Sequence, residues 1–220
     1  MPLTTHAMNR RTALALPLAA AAGALLPRTA RASTAPHAEP RASDRLPDLA
    51  LVNHRGERVR FYTDLIADRP VVINMMYVNC GGTCPGTSAV LASLWPALDR
   101  EIGPDLRIIS LTLDPQADTP RALASYAAVY APPGAKELRS DWQFLTGTPA
   151  DLDAIRRALG LTDPDPAIDA DRTQHASLLT FGNDRLNRWA SLPVGITEDQ
   201  MLRTITRILR GAKRSTSPRP

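Results

Sequence analysis

Two cysteines, Cys80 and Cys84, offer the clearest chemistry in this chain. Three residues separate them, and two of the three are Gly81 and Gly82, so both sulfurs can turn toward one point. Such a pair can close a disulfide, exchange electrons with other thiols, or bind a soft metal ion as thiolates. The alternative is a permanent structural disulfide, which is common in exported proteins, although a bridge across so short a loop would add little stability.

A predicted strand and a predicted helix position this pair. Residues 71–77 form a continuous, partly β-branched run that is typical of a strand buried on both faces. Cys84 and Pro85 then open a helix, which we expect Pro96 to kink or split. Ligands of open α/β sheets bind outside the carboxyl ends of the strands, so a site is expected at this corner. Free N–H groups at the helix start would lower the pKa of the Cys84 thiol.

One histidine, His175, is placed to join the cysteines. It precedes residues 177–181, which predict a central strand of the same sheet, and in a thioredoxin-like arrangement that loop lies beside the cysteine corner. Thiol–disulfide oxidoreductases of that fold place a cis-proline in this loop, whereas this chain has His-Ala-Ser there. The other histidines fall in the leader (His6), in a linker (His37) and in a hairpin turn (His54).

Two thiolates and one imidazole would make a three-ligand metal site at Cys80, Cys84 and His175. Structural zinc sites use four protein ligands, and the sequence offers no fourth candidate. Soft sulfur donors favour Cu(I), and an added nitrogen lets the same site accept Cu(II). We therefore predict copper, with its oxidation state open.

The remaining pattern predicts an α/β fold of thioredoxin-like type, with a central mixed sheet flanked by helices and an N-terminal β-hairpin. Thr119-Pro120 and Thr148-Pro149 predict capped helix starts, and residues 197–200 form a capping box before the last helix. Residues 182–185 predict the turn of a second hairpin. The other predicted strands are residues 51–52, 59–61, 108–113, 144–145 and 186–190.

Composition and charge exclude several classes of protein. The length of 220 residues corresponds to one domain with additional segments at its ends. The 44% content of hydrophobic residues is that of a globular chain. The net charge of +4 comes from the chain ends, because residues 46–209 are slightly acidic. No basic stripe remains, which argues against nucleic-acid binding. No apolar run reaches the ~20 residues that cross a bilayer, so we expect no stable membrane span.

Residues 1–32 predict an export signal. Arg10 and Arg11 precede an apolar stretch at residues 13–26, whose length suits a signal sequence and falls short of a membrane span. Residues 30–32, Ala-Arg-Ala, follow as a cleavage site. The paired arginines are similar to a twin-arginine signal, and an ordinary secretory signal is the alternative. We expect an exported protein, in the periplasm or at the extracytoplasmic face of the membrane.

The rest of the chain divides into three predicted segments. Residues 33–46 mix Ala, Pro, Ser and charge without periodicity and predict a linker. Residues 47–211 predict the thioredoxin-like, copper-binding domain. Residues 212–220 predict a flexible basic tail.

The chain contains four further motifs, which are Tyr77-x-x-Cys80-x-x-x-Cys84-Pro85, Asp114-Pro115 with Asp118-Thr119-Pro120, Leu145-Thr146-Gly147-Thr148, and His175-x-Ser177. In order and spacing they resemble the Sco/SenC family over about residues 46–209. The resemblance implies a thioredoxin-like fold, and copper bound by Cys80, Cys84 and His175. It also implies a role in maturing the dinuclear copper centre of cytochrome c oxidase, by copper delivery, thiol reduction or both. The implied partners are the copper-bearing oxidase subunit and a copper donor protein.

The chain departs from the family pattern beside two of these residues. Gly81-Gly82 replaces a Pro-Asp-type pair, which predicts a looser loop, and Gln174 stands where an Asp usually precedes the histidine. The alternative function is a thiol–disulfide reductase that acts on the cysteines of a client without carrying copper. A thiol peroxidase is disfavoured because its Pro-x-x-x-Thr-x-x-Cys signature is absent. A chaperone of this kind is not an enzyme, so enzymatic activity is expected only under the reductase alternative.

Overall fold

A seven-stranded mixed sheet forms the centre of this protein, in a computed structural model that describes residues 40–172 and 177–210. The strands are β1 (Ala50–Asn53), β2 (Arg58–Arg60), β3 (Pro70–Met76), β4 (Arg107–Thr112), β5 (Asp141–Thr146), β6 (Leu178–Asn183) and β7 (Arg188–Pro193). Their order is β2-β1-β5-β4-β3-β6-β7. β3, β4 and β5 run parallel, and the other neighbouring pairs are antiparallel. The predicted mixed sheet with an N-terminal hairpin is confirmed.

Helices cover both faces of the sheet, and β3 contributes to the core on each side. All seven residues of β3 are buried, as its apolar run predicts. Val72 and Met76 join a core with the helices α1 (Cys84–Ile102), α2 (Pro120–Tyr130) and α5 (Glu198–Arg210), whereas Val71 and Ile73 join a second core with α3 (Pro149–Ala158). The strand that leads to Cys80 is therefore held from both sides. The helices described are α1 (Cys84–Ile102), α2 (Pro120–Tyr130), α3 (Pro149–Ala158), α4 (Pro166–Ala170) and α5 (Glu198–Arg210).

The predicted helix caps are present. The Oγ1 atoms of Thr119 and Thr148 each accept the N–H three residues later, at 3.3 and 3.1 Å, and a proline opens each helix. At the start of α5, the Gln200 N–H donates to Thr197 Oγ1, and the Thr197 N–H donates to the Gln200 side chain. These local signals position the helices because they satisfy N–H groups that the helix itself leaves unpaired.

The turn of the second hairpin lies later in the chain than the sequence predicts. The prediction placed it at residues 182–185, but β6 continues through Asn183 and the turn spans Asp184–Leu186. Gly182 faces the indole of Trp189 so closely that a Cβ would lie 2.4 Å from the ring. The prediction was wrong because packing across the hairpin, rather than a turn, requires this glycine.

Pro96 does not split its helix, so that part of the prediction was wrong. The helix α1 runs without interruption from Cys84 to Ile102, although a proline inside it removes one N–H donor. Its neighbours Leu94, Trp95 and Leu98 are buried in the core. This packing outweighs the lost hydrogen bond, since tertiary contacts supply most of the stability of a helix in a protein.

The strand β6 lies between β3 and β7, whereas β4 occupies the centre of the sheet. The sequence predicts a central strand here; the strand is an inner one but lies next to the edge strand β7, because a buried run does not reveal the order of strands in a sheet. Residues 42–45, inside the predicted linker, form a 3-10 turn that contacts the hairpin of β6 and β7. There, the Asn187 side chain accepts the Ala42 N–H at 2.8 Å.

Among the residues described, no helix is both long and apolar enough to cross a membrane.

Candidate functional site

Cys80 and Cys84 lie at the corner between β3 and α1, as predicted. Cys84 is the first residue of the helix, and Cys80 lies in the loop before it. Both residues are thiols, with 9% of Cys80 and 1% of Cys84 exposed. The corner stands at the carboxyl edge of the parallel strands, where α/β sheets bind ligands.

Cys80 is the more acidic of the two thiols. Burial alone would raise its pKa, but hydrogen bonds from the Cys84 side chain, from the backbone N–H groups of Cys84 and Gly82, and from the Tyr77 hydroxyl together lower it. The same hydrogen bond with Cys80 raises the pKa of Tyr77. Sequence reasoning assigned no role to Tyr77. The position of a hydroxyl-bearing side chain three residues before Cys80 could have suggested such a role.

Cys84 holds its proton more tightly, contrary to the prediction from its helix position. Burial, followed by the hydrogen bond with Cys80, raises the pKa of Cys84 to about 12. The backbone N–H of Cys84 at the helix start lowers the pKa of both sulfurs, but for Cys84 burial outweighs it. The prediction was wrong because residue order does not show which of two nearby thiols is the more deeply buried.

Gly81 and Gly82 leave open space beside the sulfurs. A Cβ on Gly81 would meet no described atom within 4 Å, and one on Gly82 would meet the Cys80 sulfur at 3.8 Å. No residue from position 70 to position 98 is charged, and residues 81–83 are exposed. The loop between the cysteines therefore carries no charge of its own and leaves room for another molecule to approach closely.

His175 lies outside the described residues, so its place in the site stays a prediction. The described chain on each side of residues 173–176 lies at the carboxyl edge of the sheet. Arg172 forms an ion pair with Asp114, which follows β4, at 2.5 Å. β6 runs antiparallel to β3, so its first residue, Leu178, lies toward the end of β3. Arg172 and Leu178, which are described, thus both lie at the edge that carries the cysteines.

His54 belongs to the β1–β2 hairpin, as predicted, and it contacts β5. Its Nδ1 accepts the Phe144 N–H at 3.3 Å, and the two rings meet edge-on with centroids 5.8 Å apart. Burial lowers its pKa. Within residues 40–172 and 177–210, no three His, Cys, Asp or Glu side chains converge on a point that could hold a metal ion. The described part of the site consists of the two sulfurs and the Tyr77 hydroxyl.

A buried carboxylate, Asp118, supports the loop that leads to Cys80. It is 1% exposed, accepts the Val78 N–H at 3.1 Å, and accepts the Thr112 hydroxyl. Burial raises the pKa of Asp118, although the hydrogen bonds from Thr112 and Val78 oppose this. Sequence reasoning placed Asp118 in a motif without a role, because contacts between residues so far apart in the chain leave no local signal.

Two thiols of unequal acidity in one buried corner can perform two kinds of chemistry. As thiolates they are soft donors that suit Cu(I). As a redox pair, the acidic Cys80 can attack a disulfide of another molecule, and Cys84 can then resolve the mixed disulfide. The geometry of the described residues suits both.

Comparison with known proteins finds relatives of this chain in both sequence and structure. The family described as SCO1/SenC matches residues 38–210. A protein of Stutzerimonas stutzeri, whose name describes it provisionally as copper-binding, is 28% identical over 129 residues. That match covers 59% of this chain and 56% of the relative, so the chain spans about half the length of that protein.

Solved structures share the fold. Arabidopsis thaliana ScoI with copper bound matches at a TM-score of 0.59 and 18% identity, over 76% of this chain and 98% of that chain. BsSco is described as a member of the Sco family of cytochrome c oxidase assembly proteins with a disulfide switch. It matches at a TM-score of 0.58 and 20% identity, over 76% and 94% of the two chains. These likenesses confirm the predicted thioredoxin-like fold.

Proposed function

Because this chain belongs to the SCO1/SenC family, we propose that it is an exported copper chaperone that binds one copper ion through Cys80, Cys84 and His175. The observation that carries the proposal is the pair of buried thiols at the carboxyl edge of the sheet. Copper is the cargo, taken up from a donor protein and released to a client. The donor set accommodates either Cu(I) or Cu(II).

The chemistry of the donors supports copper over the other common metals. Two sulfurs in a largely water-excluded corner suit a soft ion, whereas Mg²⁺ and Ca²⁺ require oxygen ligands. Two carboxylates near this edge, Asp114 and Asp118, are engaged with Arg172 and with the cysteine loop, respectively. The thiols themselves must lose their protons to bind the metal, so copper uptake releases protons.

The placement of the chain around His175 supports its assignment as the third ligand. Three residue steps of at most about 3.3–3.6 Å each separate position 175 from Leu178 in the chain, so a ligand at this position is within reach of the edge where Leu178 lies. Leu178 begins β6 at the edge where β3 ends. A nitrogen donor beside two sulfurs would complete a three-ligand copper site and shield the metal from water.

The proposed client is the copper-bearing subunit of cytochrome c oxidase. Support comes from the description of BsSco, which shares the fold, as a cytochrome c oxidase assembly protein. The open space at Gly81 and Gly82 suits close approach by a second protein, which the sulfurs require because both are buried.

Thiol–disulfide reduction is the second candidate function, and one specific observation favours it. Cys80 has a lowered pKa and Cys84 a raised one. An acidic attacking thiol beside a protonated resolving thiol is the arrangement that disulfide reductases use. The same pair could prepare the cysteines of the client before copper is delivered.

Copper titration tests the proposal directly. We expect the reduced protein to bind one Cu(I) per chain against the competing chelator bicinchoninate, under anaerobic conditions. The double variant Cys80→Ser, Cys84→Ser should lose the competition, because a hydroxyl is a poor ligand for soft copper. The control is Thr83→Ser, which changes the same loop at a side chain that makes no capping hydrogen bond. Equal copper retention by the double variant and the control would contradict the chaperone.

Export can be tested through the two arginines of the leader. We expect Arg10→Lys with Arg11→Lys to stop export, because the twin-arginine route reads the arginine pair itself. Arg28→Lys, near the predicted cleavage site, serves as the control. The measurement is the distribution of the protein between cell fractions, with N-terminal sequencing expected to show a start near Ser33. Unchanged export of the double variant would leave the ordinary secretory signal, and retention of Met1 in exported protein would refute cleavage.

A further inference from the structure

The buried carboxylate of Asp118 connects three parts of the fold at the edge that carries the cysteines. It lies directly before Thr119, the N-cap of α2. It accepts the hydroxyl of Thr112, the last residue of β4. It also accepts the Val78 N–H, at 3.1 Å from one oxygen and 3.3 Å from the other. A carboxylate that is only 1% exposed requires such donors, because burying it without them is costly.

The contact with Val78 reaches Cys80 through a single peptide group. The Val78 N–H and the Tyr77 C=O belong to the same peptide, and because that peptide is planar they point in opposite directions. Asp118 accepts from the N–H side. The Tyr77 C=O on the other side accepts the Cys80 N–H at 3.3 Å. Because Asp118 holds the N–H end of this peptide, it also fixes the direction of the C=O group that accepts the Cys80 N–H.

Tyr77 adds a second link in the same direction. Its hydroxyl donates to the Cys80 sulfur, so the residue that carries the oriented C=O also contacts the thiol. A rotation of the Tyr77–Val78 peptide would disturb both contacts with Cys80. The Cys84 sulfur also contacts the Cys80 side chain and the Tyr77 N–H, but the backbone of Cys84 is held as the first residue of α1. A shift of Cys80 would therefore change the distance between the two sulfurs.

We propose that Asp118 is a positioning residue for the cysteine pair: by binding the Val78 N–H, it orients the Tyr77–Val78 peptide and so fixes the Cys80 sulfur relative to Cys84. This role of Asp118 rests on the proposed function, because two sulfurs must lie at a set distance to bind one copper ion. It also gives a role to the Asp114-to-Pro120 motif, which the copper ligands leave unexplained. Asp118 touches neither the metal nor the sulfurs in this role.

The test compares Asp118→Asn with a matched control. Asparagine has nearly the same size, but its amide offers one acceptor oxygen and an NH₂ group to two donors, Val78 N–H and the Thr112 hydroxyl. Asp99→Asn is the control. That carboxylate is also buried, at 7% exposed, and it accepts two backbone N–H groups, from Arg139 at 2.9 Å and Ser140 at 2.6 Å. It lies near the far end of α1, away from the cysteines.

We expect both variants to lower the melting temperature but only one to change the site. Asp118→Asn should weaken Cu(I) binding at least tenfold against bicinchoninate and shift the thiolate-to-copper absorption band of the Cu(II) form. It should also change the alkylation rate of the reduced thiols by iodoacetamide at least threefold. Asp99→Asn should leave all three at the wild-type values. Wild-type copper affinity, absorption band and alkylation rate in folded Asp118→Asn would overturn the proposal.

A second variant covers the case in which Asp118→Asn does not fold. Thr112→Val keeps the carboxylate but removes its hydroxyl donor, so the carboxylate is held less firmly and the same changes should occur to a smaller extent. Thr112→Ser should restore wild-type behaviour, and an unchanged site in Thr112→Val would count against the proposal. The alkylation rate involves no copper. If the wild type failed to bind copper, the proposed function would be refuted, whereas the alkylation rate would still test the role of Asp118.

Discussion

Replacing His175 by alanine is expected to weaken copper binding by roughly 10–100-fold or more, while the protein remains folded. Losing a residue that merely orients a ligand already costs about this much, and the loss of a ligand itself should cost no less. The two sulfurs would still hold copper, but water would have access to the metal. The measurement is an anaerobic Cu(I) titration of wild type and variant against bicinchoninate.

His54→Ala provides the matched control for this experiment. His54 packs edge-on against Phe144 and accepts its N–H, so its removal should lower stability through lost packing. It belongs to the β1–β2 hairpin and should leave copper affinity unchanged. An unchanged titration for His175→Ala would remove His175 from the site and would favour the reductase, for which this histidine should mainly affect the rate of thiol exchange.

Oxidation of Cys80 and Cys84 to a disulfide is expected to abolish copper binding without unfolding the protein. Only a thiolate is a copper ligand, and a disulfide leaves neither sulfur available. The bridge would close a short loop beside a strand and a helix that keep their own packing, so circular dichroism should change little. The measurement is copper uptake by the protein before and after oxidation with diamide.

Reduction of the same sample is the control for damage during oxidation. After dithiothreitol treatment and its removal, binding of one copper per chain should return. Equal uptake by the oxidised and reduced forms would show that the sulfurs are not the ligands. Failure to recover binding would indicate oxidation beyond the disulfide, and the comparison would then be repeated with glutathione disulfide as the milder oxidant.

Sequence by itself determined the features of this protein that depend on neighbouring residues. The proline-opened helices capped by Thr119 and Thr148 form as predicted, because a cap is a contact between residues three apart. The burial of β3 follows from its continuous apolar run. Cys84 begins α1 because a strand, a glycine-containing loop and a proline in the first turn follow one another directly.

Tertiary structure alone decided the features that depend on what a residue meets across the fold. Cys80 rather than Cys84 has the lowered pKa, because relative burial and the direction of N–H groups depend on how the corner packs. Gly182 lies in a strand because Trp189 covers it, which no local turn signal can show. Asp118 reaches the cysteine loop across a gap of 40 positions in the chain. Such contacts carry no sequence period, so only the folded chain reveals them.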